Sequence, residues 1–145
     1  MKTKKVLFVC SGNTCRSPMA ERILKQKLKD KNIKNIRVSS AGLYAEEGQP
    51  MTVEAAQALK HYKVRASAHK SKLLTKEMLS EYDLIIAMTT AHKSALSTYS
   101  NVVSLADYIK GIDVLDPFGQ NIEVYKKVCQ YLMYAADEIV EKLTK

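Results

Sequence analysis

The residues whose types and spacing could do chemistry are consecutive: Cys10-Ser11-Gly12-Asn13-Thr14-Cys15-Arg16-Ser17. A thiol and a guanidinium at the two ends of a short polar run can serve one tetrahedral anion. The Arg16 fork matches two oxygens of a phosphoryl group. Backbone N–H groups of a loop turned inward over Ser11–Cys15 add an anion nest. A helix starting just beyond the loop adds its unsatisfied N–H groups and the positive end of its dipole. The same field should hold Cys10 as thiolate, the form that attacks phosphorus. Gly12 is expected to allow a turn that a Cβ would hinder. Ser17 can donate its hydroxyl to the thiolate or to the departing sulfur. On its own, Cys10 also fits a small buried residue ending a strand; the complete run in its setting points to chemistry.

The elements that must position this run can be read on either side of it. Residues 5–9 predict a short buried strand and residues 11–17 a loop. Pro18 opens a helix in the first turn, where its missing N–H costs nothing. Ala20, Ile23, Leu24 and Leu28 form the apolar face of that helix. Residues 35–41 predict a second strand ending at Gly42, and residues 52–62 a helix with Val53, Ala56 and Leu59 inward. Thr75 caps a short helix carrying Met78 and Leu79. Residues 83–88 predict the strongest strand, covered on both faces. A helix over 91–99, a short strand at Val102-Val103 and a loop over 110–121 come next. The last helix starts near Ile122, with Ile122, Tyr125, Cys129, Leu132, Ala136, Ile139 and Leu143 on one stripe. The alternation predicts a single α/β domain over residues 1–145. Its sheet is four-stranded and mostly parallel, doubly wound and Rossmann-like, with helices on both faces. Ligands of such sheets bind at the carboxyl ends of the strands, where Cys10 and Met88 both fall.

The bulk numbers narrow the function classes. With 145 residues, 46% hydrophobic and 26% charged, the chain suits one globular core. No run is apolar for long enough to span a bilayer. Met1-Lys2-Thr3-Lys4-Lys5 has the look of a signal peptide's basic region, but the apolar run Val6–Cys10 is too short to continue one. The expected location is the cytoplasm, with no membrane partner. Three cysteines make neither a disulfide framework nor a zinc pattern. Cys129 falls on the apolar stripe of the last helix and reads as core. His61, His69 and His92 lack ligand spacing and read as surface or packing residues. Residues 1–40 hold eleven basic and two acidic side chains, while the remainder holds twelve and thirteen. That basic third could attract nucleic acid or steer phosphorylated substrates. Lys25, Lys27, Lys29, Lys31 and Lys34, in and after the first helix, read as a solvated face. The aromatics form no stacking platform and no nucleic-acid motif is present, so no nucleic-acid partner is expected. The chain is expected to act as a monomer.

The segment Val9-Cys10-x-Gly12-Asn13-x-Cys15-Arg16-Ser17-Pro18 resembles the phosphate-binding loop of the low-molecular-weight protein tyrosine phosphatases. Ser39-Ser40-Ala41-Gly42, Asp83–Met88 and Asp116-Pro117-Phe118-Gly119 come after it in the family's order, so the resemblance spans nearly the whole chain. It implies a two-step reaction on phosphorylated proteins. Cys10 takes the phosphoryl group as a cysteinyl-phosphate, and Asp116 protonates the leaving group and later activates the hydrolytic water. Read on its own, Asp116 precedes Pro117, which disfavours helix and stiffens the loop. Asp-Pro serves turns as readily, and Asp113 is a rival carboxylate. No metal or other cofactor is needed, because Arg16 and the nest supply the positive charge. The resemblance also implies a reversible Cys10–Cys15 disulfide that guards the nucleophile; a packed thiol behind the loop fits Cys15 as well. Tyr108, Tyr125 and Tyr131 flank the Asp116 loop in sequence and receive no role.

Two departures bear on the substrate. Most tyrosine-specific members carry an aliphatic residue, usually Ile, at the position of Thr14, and they tend to carry two adjacent aromatics after the Asp-Pro. Here Phe118 is followed by Gly119. Both features resemble the bacterial protein-arginine phosphatase branch. A Thr14 hydroxyl can accept from a phosphoguanidinium N–H that an Ile methyl would leave unpaired, at a cost of about 1–3 kcal/mol. That corresponds to roughly tenfold to hundredfold discrimination. A β-branched residue kept for shape is the plainer reading of Thr14. The Thr14 hydroxyl and the missing second aromatic nonetheless favour arginine over tyrosine. A thioredoxin-coupled arsenate reductase shares the loop but needs relay cysteines after the third strand, where Thr89 and Thr90 stand. A module that only captures phosphoproteins would not need both Cys10 and Asp116.

Overall fold

The apolar run at residues 6–9 becomes the centre of the sheet. In the computed structural model, which describes residues 2–66 and 68–145, β1 (Lys4–Cys10) lies between β2 (Ile36–Gly42) and β3 (Leu84–Ala87). β4 (Val102–Ser104) pairs with the far side of β3, giving the order β2-β1-β3-β4 with every pairing parallel. Along β1 the side chains alternate between two cores. Val6, Phe8 and Cys10 enter the larger one, with α1 (Arg16–Asp30), α2 (Val53–His61), α5 (Leu105–Ile109) and α6 (Ile122–Leu143). Leu7 and Val9 enter the smaller one, with Leu79 of α3 (Lys76–Glu81) and Leu96, which lies just beyond α4 (Thr90–Ser94). Each fully buried aliphatic or aromatic side chain contributes roughly 1.5–3 kcal/mol, so this two-sided strand is the strongest anchor for the loop that leaves it at Cys10.

The topology determines where a ligand can sit. The chain leaves β1 for β2 on one side and reaches β3 on the other, opening a crevice at the carboxyl end of β1. Cys10 pairs with Gly42 and Val9 with Ala87, so the three strand ends share one edge. Among the described residues no helix is long and apolar enough to cross a membrane.

Several elements differ from the sequence-based expectation. α1 begins at Arg16, two residues before Pro18, because Cys15 O already accepts from Met19 N at 3.0 Å. In α2 Val53 is 67% exposed, and Ala55, Ala58 and Leu59 are the buried residues. The buried stripe shares Leu59 with the expected one but takes Ala55 and Ala58 in place of Val53 and Ala56, and Thr52 caps the helix by accepting from Ala55 N. The helix expected over 91–99 ends at Ser94, whose hydroxyl donates to Thr90 O, and tight turns come after it. Ser and Thr offer the backbone such local alternatives. α5 went unread in the sequence; Ser104 caps it by accepting from Asp107 N at 3.1 Å. α6 carries the expected stripe, with Asn121 as its cap.

Candidate active site

The loop after β1 has its carbonyls tied back and its amides unspent. Cys10 O accepts from Leu43 N, Ser11 O from Tyr44 N, Asn13 O from His69 Nε2 and Thr14 O from Thr52 N, all at 2.7–3.0 Å. Among the described residues the amides of Ser11–Cys15 donate to no protein group. A loop of that polarity is an anion nest, and α1 adds its N-terminal N–H groups at the same place.

Asn13, rather than Gly12, carries the unusual backbone. Asn13 adopts φ 57°, in the left-handed region, which disfavours most L-residues by about 1–2 kcal/mol. Three side-chain hydrogen bonds offset this. Asn13 Nδ2 donates to Ser17 Oγ at 2.8 Å and Ser40 Oγ at 2.9 Å, and Oδ1 accepts from Lys72 N at 2.9 Å. The expectation for Gly12 is corrected: its φ is not left-handed, and an added Cβ would meet only Thr14 Oγ1, at 3.8 Å. The glycine the loop requires is Gly42, where a Cβ would lie 2.5 Å from Ser11 O and 3.0 Å from Asn13 N.

A buried relay runs from this asparagine to the thiol. Ser40 Oγ donates to Glu21 Oε1 at 2.6 Å, so it accepts from Asn13. Asn13 gives its other hydrogen to Ser17 Oγ, and Ser17 is left to donate to Cys10 Sγ at 2.9 Å. Burial pushes the Glu21 carboxyl up, but hydrogen bonds from Lys25 and Ser40 bring it below its ordinary value. The relay thus ends on a carboxylate at neutral pH.

Arg16 and Asp116 meet across the mouth. Arg16, 7% exposed, donates from Nη1 to Val114 O at 3.1 Å, and its Nη2 lies 3.7 Å from Asp116 Oδ2. The Asp116 side chain is 60% exposed and accepts from Phe118 N at 3.1 Å. Asp113 is occupied elsewhere, its Oδ1 accepting from both Thr90 N and Thr90 Oγ1. A cleft of about 210 Å³ is lined by Cys10–Arg16, Asp116 and Phe118. Every sequence-proposed site residue except Ser17 therefore lines one cavity, and Ser17 lies directly behind Cys10. Thr14 stands in the wall, its hydroxyl 3.9 Å from Cys15 Sγ. Phe118 stands at the rim, 68% exposed.

Sequence reasoning missed the supports. His92 Nε2 lies 2.9 Å from Ser11 Oγ and its Nδ1 2.9 Å from Thr89 Oγ1. His69 donates to Asn13 O, which places its proton on Nε2. Burial lowers both histidines below the usual imidazole value, with Arg16 adding to the effect at His92. Glu21 is also a support, and only the fold brings it beside Ser40. Cys15 Sγ faces Tyr125 Oη at 3.5 Å and Thr52 Oγ1 at 3.6 Å. Burial and Cys15 push the Tyr125 phenol up to about 12, so it stays protonated. Cys129 is fully buried against Ala58 O, and burial pushes its thiol up to about 12, a poor position for a disulfide relay.

This pairing of an anion nest with a thiol, on a four-stranded parallel sheet, defines a small phosphate-handling α/β domain. Residues 5–145 match the family model described as low molecular weight phosphotyrosine protein phosphatase. The chain belongs to that family. It is 38% identical over 149 residues to a protein-arginine-phosphatase of Bacillus subtilis (strain 168), covering 97% of each chain. It is 34% identical over 135 residues to the low molecular weight protein-tyrosine-phosphatase PtpB of Staphylococcus haemolyticus, covering 90% of this chain and 93% of that one. Among solved structures it superposes, with a TM-score of 0.90 and 36% identity, on a Cys-to-Ser variant of the YwlE arginine phosphatase that carries a phosphorylated active-site serine. That match covers 97% of this chain and 96% of the other.

Proposed function

We propose that the protein hydrolyses phosphoarginine in proteins through a cysteinyl-phosphate. Cys10 Sγ attacks phosphorus while the P–N bond breaks. Asp116, in its acid form, gives its proton to the departing guanidine nitrogen. Arg16 turns its fork from Val114 and Asp116 to the phosphoryl oxygens, beside the amides of Ser11–Cys15. Asp116 then takes a proton from the water that attacks the cysteinyl-phosphate, and inorganic phosphate leaves. Ser17, steered by Asn13, donates to the sulfur as it departs. The observation that carries the arginine reading is Thr14 in the cleft wall, its hydroxyl free of any short partner among the described residues. Relatives named protein-arginine-phosphatase at 37–38% identity support it.

Tyrosine is the second reading. Phe118 at the rim offers a ring face for a phenol, and relatives at 34–35% identity are named tyrosine phosphatases. The two readings part on kcat/KM for matched peptides carrying phosphoarginine or phosphotyrosine. The expected result is a preference for phosphoarginine that Thr14→Ile reduces by about tenfold or more. A phosphotyrosine preference discards the arginine reading and keeps the Cys10–Arg16–Asp116 mechanism, whereas a phosphoarginine preference that Thr14→Ile leaves alone removes Thr14 as its cause.

A further inference from the structure

Asp116 sits four residues beyond a backbone segment that is held by one distant hydroxyl. Tyr131, on α6, accepts from Ile112 N at 2.9 Å and donates to Ile112 O at 2.7 Å. A single hydroxyl thus satisfies both polar groups of one residue. The Ile112 side chain does not help to hold it, since that residue is 67% exposed. The approach is close: a Cβ on Gly111 would lie 2.5 Å from Tyr131 Oη. Beyond Ile112, Asp113 is bound to Thr90, and Val114 donates to Met88 O at 3.0 Å and accepts from Arg16. From Leu115 onward the backbone bonds are internal to the loop, with Phe118 N on Asp116 and Gln120 N on Pro117 O. Apart from its contact with Arg16, Asp116 therefore takes its place over the cleft from residues 111–114.

We propose that Tyr131 is a positioning residue: its hydroxyl sets the placement of the Asp116 loop, and with it the efficiency of proton transfer, without touching substrate. The helix does not need that hydroxyl for its own packing. α6 buries Tyr125, Val128, Cys129 and Leu132, while Tyr131 is half-buried and directs its oxygen to Ile112. The proposal rests on Asp116 being the acid.

The test is Tyr131→Phe, which keeps the ring, assayed as kcat/KM on phenyl phosphate and on 2,4-dinitrophenyl phosphate. Phenolate is a poor leaving group that needs a proton, and dinitrophenolate leaves without one. The expected result is a loss of about three- to tenfold on phenyl phosphate and less than about twofold on the dinitro substrate. Competitive inhibition by inorganic phosphate stays unchanged, because the nest is untouched. Gly111→Ala, which crowds the same hydroxyl, should reproduce the pattern, and Tyr134→Phe on the exposed side of α6 should not. An equal loss on both substrates, or none on either, overturns the proposal if Asp116→Asn retains its selective loss on phenyl phosphate. If Asp116→Asn shows no selectivity, the acid assignment under Proposed function falls first and takes this proposal with it.

Discussion

The two loops that form the cleft are built on opposite principles. The loop from Cys10 to Arg16 buries Cys10, Asn13, Cys15 and Arg16 and is fastened by Asn13, His69, His92, Thr52 and the close approach of Gly42. The loop from Gly111 to Asn121 is held along its first four residues and then exposes Leu115, Asp116 and Phe118. Under the proposed mechanism the difference follows from their tasks. A nest for a dianion works only if its dipoles are oriented before the anion arrives, because reorganising them would cost what they gain. A carboxyl group that first gives and then takes a proton must reach a leaving group and later a water. An exposed carboxylate at 3.7 Å from a guanidinium retains that freedom.

The largest expected effect lies in the fastened loop. Cys10→Ser should lower turnover by at least ~10⁴-fold while leaving the fold intact, as measured by activity and thermal unfolding on one sample. Retained turnover would remove the chemistry from that loop and end the comparison. Asn13→Ala tests the fastening itself. It deletes three buried hydrogen bonds and leaves a residue less tolerant of φ 57°, so a loss of about 3 kcal/mol of stability and a large fall in kcat/KM are expected together. Denaturant unfolding with a parallel assay gives both numbers; a stable but slow variant would mean that Asn13 serves chemistry alone. Asp116→Asn should show the reverse. Its side chain is 60% exposed, so stability should hold while kcat/KM on poor leaving groups falls by about 10²–10³-fold. Loss of stability in that variant would show the second loop to be a structural strap.

The smallest effect concerns the histidines behind the fastened loop. Both are lowered from 6.5 by burial, so the unfolded chain binds their protons more readily than the folded one. Stability is therefore fully present above pH 6.5 and declines as the pH falls below it. Denaturant midpoints between about pH 7.5 and 5.5 should show this decline, and His69→Gln should flatten it. A flat profile in the unaltered protein would mean that the supports are open to water.

How far the sequence could be read differs along the same boundary. The strand-to-helix setting of residues 10–17 was legible because the short apolar run before it, Pro18 and the helix stripe are local signals. The long stripe of α6 was legible for the same reason. Val53 was misread because an apolar residue in a helix's first turn can point away from the core while its neighbours define the buried face. Gly12 was credited with a freedom that Gly42 supplies, since the close contact arises only when β2 lies beside β1. His69, His92, Glu21 and Tyr131 gave no signal at all. Each acts on a residue at least 19 positions away, and no periodicity or motif records such a pairing.

The order of side chains along the chain was enough to determine a parallel α/β sheet, a thiol and guanidinium on one anion loop, and a carboxylate carried by a separate Asp-Pro loop. Only the tertiary structure decided which polar side chains brace the anion loop, which of Asp113 and Asp116 lines the cleft, and that a tyrosine on the last helix bonds to the backbone of Ile112. The physical reason is range: helix stripes, caps and apolar strand runs are written over a few residues, whereas hydrogen-bond partners across the fold are chosen only when packing brings distant segments together.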